Sequence, residues 1–312
     1  MTPKLLNSFL KLAEIGNVSR AATQLHLTQP ALSRQIRQLE EEIAAPLFER
    51  HGRGVVLTES GKVLRQRAVW LLREIDDIRR ELARSEVEPE GEIAIGLPSP
   101  LISIVSCPLV ESLLDTAPRL HLRIFEGSPV QIRDLLNEGT LDLGILSADE
   151  HGAGLTRVPF VTEGLFVAGA PGSGIDPSRH FPVERLLDIP LVQAGPQNGV
   201  TMILNRHFSK SQRTLDLRVE ASTTHLLIGI AATGRCFTVL PYSALMDGLA
   251  DRQIVAAPLS RLNMHWALAR RTDHRLTVGM RTVLQTIHRL VQDRIAGGTW
   301  LTARYEADGA NP

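Results

Sequence analysis

The sequence predicts an α/β protein in three parts: an N-terminal winged helix-turn-helix that is mostly helical, a long linker helix, and a two-lobed α/β domain. Three observations predict it. Two short helical patterns lead into a capped amphipathic helix over residues 28–39. A narrow apolar stripe runs through residues 59–88, and from about residue 92 apolar runs of strand length alternate with helical patterns.

With 312 residues the chain exceeds one typical domain, and 43% hydrophobic with 22% charged residues is ordinary for a globular protein. Net charge is zero, so composition alone does not point to nucleic acid, although residues 1–58 hold more Lys and Arg than Glu. Cys107 and Cys236 lack metal-ligand spacing and are expected to be buried small hydrophobes in a reducing compartment. Met1-Thr2-Pro3-Lys4 opens no apolar leader, and no run approaches the roughly 18 apolar residues of a spanning helix. A cytoplasmic protein without membrane contact is expected.

Residues 3–15 place Leu5, Leu6, Phe9, Leu10 and Leu12 at helical spacing, and Gly16-Asn17 stops them. Ser19 is expected to cap a second short helix, whose Ala21-Ala22 pair permits close approach of a neighbour. Thr28 caps the third helix, and Pro30 falls in its first turn, where a missing N–H costs nothing. Leu32, Ile36, Leu39 and Ile43 form its buried stripe. The opposite face offers Gln29, Ser33, Arg34 and Arg37, residue types that reach base edges or phosphate oxygens. Alone, this segment equally suits any capped surface helix. With the preceding helix and turn it forms a helix-turn-helix whose second helix enters the major groove. The glycines of His51-Gly52-Arg53-Gly54 then turn a two-stranded wing, whose tip Arg53 suits either a minor groove or plain solvent.

Thr58-Glu59-Ser60-Gly61 opens the linker helix. Leu64, Ala68, Leu71, Ile75, Ile78 and Leu82 alternate spacings of 4 and 3, a seam that wants a partner helix or, failing that, its own domain. Residues 86–91 read as a hinge. The expected boundaries are therefore 1–58 for the DNA-binding domain, 59–88 for a dimerising linker, 89–302 for the two-lobed domain, and 303–312 for a flexible tail. Lobe I is expected over about 92–163 and 270–300, and lobe II over about 164–269.

Residues 92–146 read as β-α-β-α-β, hence a mostly parallel sheet covered on both faces. Ligands of such sheets bind beyond the carboxyl ends of strands, here near Ser99, Ser128 and Ser147. Helices follow two of these ends, so N–H groups and helix dipoles favour an anion there, although the same residues also serve as ordinary caps. In lobe II, Ser222 is expected to cap a helix over about 223–232, which carries His225.

Phe9, Ala21-Ala22, Leu25, Thr28-Gln29-Pro30-Ala31-Leu32-Ser33-Arg34-Gln35-Ile36, Leu39-Glu40, Leu47-Phe48-Glu49-Arg50 and Leu57-Thr58-Glu59-Ser60-Gly61 together resemble the N-terminal signature of LysR-type transcriptional regulators. The pieces Leu141-Asp142-Leu143-Gly144-Ile145 and 234–241 resemble that family's effector domain, itself similar to type-2 periplasmic binding proteins. The resemblance implies a homodimer through the linker, a homotetramer that bends promoter DNA, a small-molecule inducer between the lobes, and no cofactor. By position it assigns Gln29, Pro30, Ala31, Ser33 and Arg34 of the recognition helix and Arg53 of the wing to double-stranded DNA, and Thr28 at the cap and Arg37 on the same polar face join them. Ser99, Ser128 and Thr201, with Ser222 and Thr223, fall where the family lines its inducer cleft, and Ser147 joins them as a strand end. Gly234-Arg235-Cys236 departs from the family's Gly-x-Gly at this place.

Two other classes compete. An enzyme would want a metal-ligand pair or a Gly-x-Ser-x-Gly elbow, and neither occurs, while Gly169-Ala170-Pro171-Gly172-Ser173-Gly174 lacks the lysine of a phosphate-binding loop. A solute-binding protein would suit the C-terminal two-thirds but leaves the N-terminal motif without a role.

Overall fold

The computed structural model describes residues 1–51, 54–82, 89–148, 153–209 and 213–306. Side chains at 50, 51, 66, 70, 73, 74 and 76–82 lie outside that description. The chain divides into two compact units, the first comprising residues 1–87 and 138–140.

In the first unit, Thr2 caps α1 (Pro3–Ile15), and Gly16 stops it in the left-handed conformation at φ 67°. Asn17, not Ser19, caps α2 (Val18–Gln24), accepting from Arg20 N at 3.1 Å. Asn17 is the last extended residue after the Gly16 turn, so the cap position falls to it. Thr28 caps α3 (Gln29–Ile43) through Ala31 N. The Leu32, Ile36 and Leu39 stripe packs with Leu5, Leu6, Phe9, Leu12, Ala21 and Ala22 into one core, and the buried Ser8 hydroxyl bonds Gln35 at 2.5 Å across it.

The wing is an antiparallel pair, β1 (Phe48–His51) and β2 (Gly54–Leu57). Glu40 of α3 aims it: its Oε1 accepts from Leu47 N at 2.8 Å and Phe48 N at 3.3 Å. Phe48 packs on Phe9 with ring centroids 5.4 Å apart and the planes tilted by 54°, and Val55 N donates to Gly16 O at 2.8 Å. At Gly54 a Cβ would stand 2.2 Å from that same carbonyl oxygen, so only glycine lets the wing approach.

α4 (Glu59–Leu82) divides the expected seam. Ala68 is fully buried, and Leu64 and Leu71 pack against the core of their own unit, so the first half of the stripe is already occupied. Ile75 is only half-buried, and the side chains of Ile78 and Leu82 lie outside the described residues. Residues 83–88, which include the start of the expected hinge, also lie outside them.

The second unit begins with β3 (Glu90–Pro98). Residues 99–106 form a 3-10 turn and a π turn before α5 (Cys107–Thr116), where one regular helix was expected. Pro108 has no N–H for the carbonyl one turn back, so the hydrogen-bond ladder slips there. Cys107, expected to be buried, is exposed because the first turn of α5 turns it outward, whereas Cys236 is buried. β4 (Arg119–Gly127), α6 (Pro129–Asn137), β5 (Leu143–Ser147) and the 15-residue β6 (Leu155–Gly169) follow. Lobe II then adds β7 (Pro190–Gln193), α7 (Gly199–Phe208), β8 (Asp216–Glu220), α8 (Thr224–Ala232), β9 (Thr238–Pro241) and α9 (Tyr242–Ala250). The 17-residue β10 (Val255–Arg271) returns to lobe I, and α10 (Val278–Ala296) and β11 (Arg304–Tyr305) complete it.

The main sheet runs β11-β6-β10-β5-β3-β4, with β9 also on β6. Only β4, β3 and β5 are mutually parallel. They are the strands of residues 92–146, where a parallel sheet was expected; β6 and β10, outside that range, pair antiparallel along nearly their whole length. Near their middle, at Gly164 and Asn263, the register shifts, and each strand passes from one lobe into the other. The tail expected to be loose from 303 is held at its start: Arg304 and Tyr305 pair with Thr162 and Val161, and the Tyr305 hydroxyl lies 2.7 Å from His288 Nδ1. Among the described residues no helix is long and apolar enough to cross a membrane.

Candidate functional site

Two surfaces carry the expected site residues, one in each unit. On α3, burying Leu32, Ile36 and Leu39 turns the polar residues outward. Thr28, Gln29, Pro30, Arg34 and Arg37 are exposed, and Ala31 and Ser33 are half-buried at the edge of the same face. The Arg34 guanidinium folds back to Pro30 O at 3.4 Å, while the Thr28 hydroxyl oxygen is engaged as the cap. The helix thus presents an uncapped amide, a hydroxyl and two guanidinium groups within three turns, together with its own positive end. Arg53 lies outside the described residues. Glu40, which aims the wing, was missed in the sequence because its partners are backbone N–H groups seven and eight residues on.

In the second unit, a cleft of about 850 Å³ opens between the lobes. Of the six expected residues it brings four together: Ser99 and Ser128 from lobe I, and Ser222 and Thr223 from lobe II. Ser147 and Thr201 do not line it. Ser147 is 2% exposed at the end of β5, and Thr201 is 5% exposed with its hydroxyl donated to Ala194 O at 2.8 Å. Both lie in the packed layer behind the wall, where a strand end and a helix face their own core.

Helix N-termini surround the opening. Ser128 and Gln131 form a reciprocal capping pair on α6: Gln131 N donates to Ser128 Oγ at 3.3 Å and Ser128 N to Gln131 Oε1 at 2.9 Å. Asn198 caps α7 through Val200 N at 3.0 Å. Thr223, rather than Ser222, caps α8 through Leu226 N at 3.3 Å. In each hydroxyl cap the oxygen accepts from the backbone, which leaves the O–H able to donate into the cleft. Deeper in, Val200, Leu227, Leu240, Met264 and Trp266 form an apolar floor. His225 is exposed on α8 and does not line the cleft. Asn198 and Trp266 escaped the sequence reading; a Gln-Asn-Gly turn before an apolar run was the available signal for Asn198, and Trp266 had none.

Beneath the floor lies a buried carboxyl group. Glu163, fully buried on β6, accepts from Ser243 N at 2.9 Å, Ser243 Oγ at 2.8 Å, Trp266 Nε1 at 2.6 Å and Trp300 Nε1 at 2.9 Å. Burial raises its pKa above the ordinary carboxylate value, and the four donors only partly oppose that rise.

Residues 3–62 match the bacterial regulatory helix-turn-helix protein family of lysR type, and residues 86–292 match the LysR substrate binding domain. The nitrogen assimilation regulatory protein nac of Klebsiella aerogenes is 29% identical over 248 residues, 78% of this chain and 79% of its own. The transcriptional regulator DgdR of Burkholderia cepacia is 29% identical over 246 residues, 79% of this chain and 80% of its own. Among solved structures, a full-length OxyR variant from Pseudomonas aeruginosa superposes with a TM-score of 0.74 at 24% identity, covering 94% of this chain and 95% of that one. Full-length CbnR in complex with its target DNA gives 0.66 at 20% identity, covering 93% and 100%.

Proposed function

The chain belongs to the LysR family of helix-turn-helix regulators, and on that premise we propose how its parts divide the work. It is a transcriptional regulator with an N-terminal DNA-binding domain and a C-terminal effector-binding domain. Its relatives are regulators rather than enzymes. The single observation that carries the residue assignment is the exposed polar face of α3 opposite the buried Leu32, Ile36 and Leu39.

Gln29, Ser33 and Arg34 read base edges of promoter DNA in the major groove, Arg37 and the helix N-terminus at Thr28, Pro30 and Ala31 hold the phosphate backbone, and Arg53 accompanies them from the wing. The chain works in the cytoplasm as a homodimer joined through α4, two dimers forming a tetramer. A small molecule binds between the lobes against Ser99, Ser128, Ser222 and Thr223, with Ser147 and Thr201 supporting the wall. It acts by holding the lobes closer than they rest, a population shift that requires tighter binding to the closed form. The domain boundaries follow the same division: reader to 58, linker to 88, and effector domain beyond.

A gel-shift and footprint on the DNA upstream of the protein's own coding sequence tests this. A protected pair of related half-sites, retained at moderate salt over random DNA, is expected. A folded protein that shows no preference for that DNA over random sequence defeats the reading.

A further inference from the structure

We propose that the ligand of the interlobe cleft is a zwitterion of the α-amino-acid class carrying an apolar side chain. This inference rests on the effector-cleft reading above and names the chemistry that fills it.

The charges of the lining point to it. Among the described residues lining the cleft there is no Lys, Arg or His, yet there are two carboxylates, Glu126 at the end of β4 and Glu220 at the end of β8. The two belong to opposite lobes, and neither forms an ion pair among the described residues. The Glu220 carboxylate stands directly over Gly195 in the lining, 2.9 Å from where a Cβ there would lie. A ligand that was only an anion would meet two negative groups and no cation. A ligand that was only a cation would meet the positive ends of α6, α7 and α8, each at least nine residues long.

A molecule with one charge of each sign satisfies both halves of the lining. Its carboxylate takes the hydroxyl donors of Ser99, Ser128 and Thr223 with the neighbouring backbone N–H groups. Its ammonium takes Glu126 and Glu220. The deep end, formed by Leu227, Leu240, Met264 and Trp266, offers no charge and suits a hydrocarbon side chain. The same arrangement supplies the differential affinity that a switch needs. With the cleft open, like charges on Glu126 and Glu220 oppose approach of the lobes, and an ammonium between them removes that opposition, so binding is tighter in the closed form.

The test is calorimetric titration of the full-length protein with L-leucine, L-methionine and L-phenylalanine. Beside them run 4-methylpentanoate, which lacks the ammonium, leucinamide, which lacks the carboxylate, and succinate, a plain dianion. The expected result is saturable binding of at least one amino acid and weakening by about tenfold or more on loss of either charge. Glu126→Gln and Glu220→Gln should each weaken the amino acid about tenfold while improving 4-methylpentanoate, and circular dichroism reports whether each variant is folded. Binding of succinate or 4-methylpentanoate at least as tight as that of the amino acids overturns the proposal, whatever the variants do. So does the absence of binding by every amino acid at millimolar concentration. A specific gel-shift in that last case leaves the regulator reading standing, so the two failures are distinguishable.

Discussion

Glu163 accepts the indole N–H of Trp266 at 2.6 Å, and Trp266 is part of the apolar floor of the cleft. The same carboxyl holds the first turn of α9 through Ser243 and the segment after α10 through Trp300. One buried group at the crossover of β6 and β10 thus joins the ligand floor to both lobes. Replacing it with leucine leaves two indole N–H groups, a backbone N–H and a hydroxyl without their acceptor, each costing about 1–3 kcal/mol when buried. Glu163→Leu should therefore lose at least about 3 kcal/mol in urea unfolding. Glu163→Gln, which keeps one acceptor oxygen, should lose less. Equal stability of the leucine variant and wild type would show that the network is dispensable.

The raised pKa of Glu163 sets a pH dependence of definite sign. The native state keeps this proton at pH values where the unfolded chain, near 4.5, has released it. The contribution is complete below about 4.5 and is lost as pH rises through the raised native value. The Ser243 hydroxyl, which donates to the carboxylate, can turn to accept from the protonated form. Urea midpoints of wild type and Glu163→Gln measured from pH 5 to 8 should show the wild type losing ground as pH rises. A gap that is constant, or that grows in favour of wild type, contradicts the assignment.

Gly54→Ala sets a Cβ against Gly16 O, and both partners are backbone. The wing must then shift away from the turn after α1, at a cost of about 1–3 kcal/mol typical of overpacking. Lower thermal stability of the isolated transition of the first unit, with weaker DNA binding in the same preparation, is the expected pair of results.

On α3, Gln29→Ala and Ser33→Ala should each cost about 1–3 kcal/mol at the cognate site where they remove a base contact. Fluorescence anisotropy with cognate and random duplexes separates the possibilities. Losses of the same size on both would make the residue a backbone contact.

The divided stripe of α4 sharpens the dimer test. Leu71 packs in its own unit, so its substitution confounds folding with assembly. Ile75 is only half-buried in the single chain. Ile75→Glu should dissociate the dimer in sedimentation velocity while the circular dichroism of the helices persists, and an intact dimer would place the contact elsewhere.

The N-terminal unit was legible almost residue by residue, because capping and amphipathic spacing are local. Thr28, Pro30 and the Leu32, Ile36 and Leu39 stripe need only their own helix to be recognised. The second unit was legible as a pattern of elements and less so as a site. Ser147 ends β5 and Ser99 directly follows β3, yet only Ser99 reaches the cleft. Strand-end position is visible in the sequence, whereas which end is covered by a helix from far along the chain, as Ser147 is by α7 at Gly199, is not.

By itself, then, the sequence determined a capped reading helix, its wing and an α/β domain with hydroxyl groups at strand ends, since each depends on neighbours within a turn or two. Tertiary structure alone decided that Glu163 meets residues 80, 103 and 137 positions away. It alone also set Glu126 and Glu220 facing one cleft from opposite lobes, with no Lys, Arg or His among the described lining residues. Burial and charge opposition are properties of packed chains, and no local spacing encodes them.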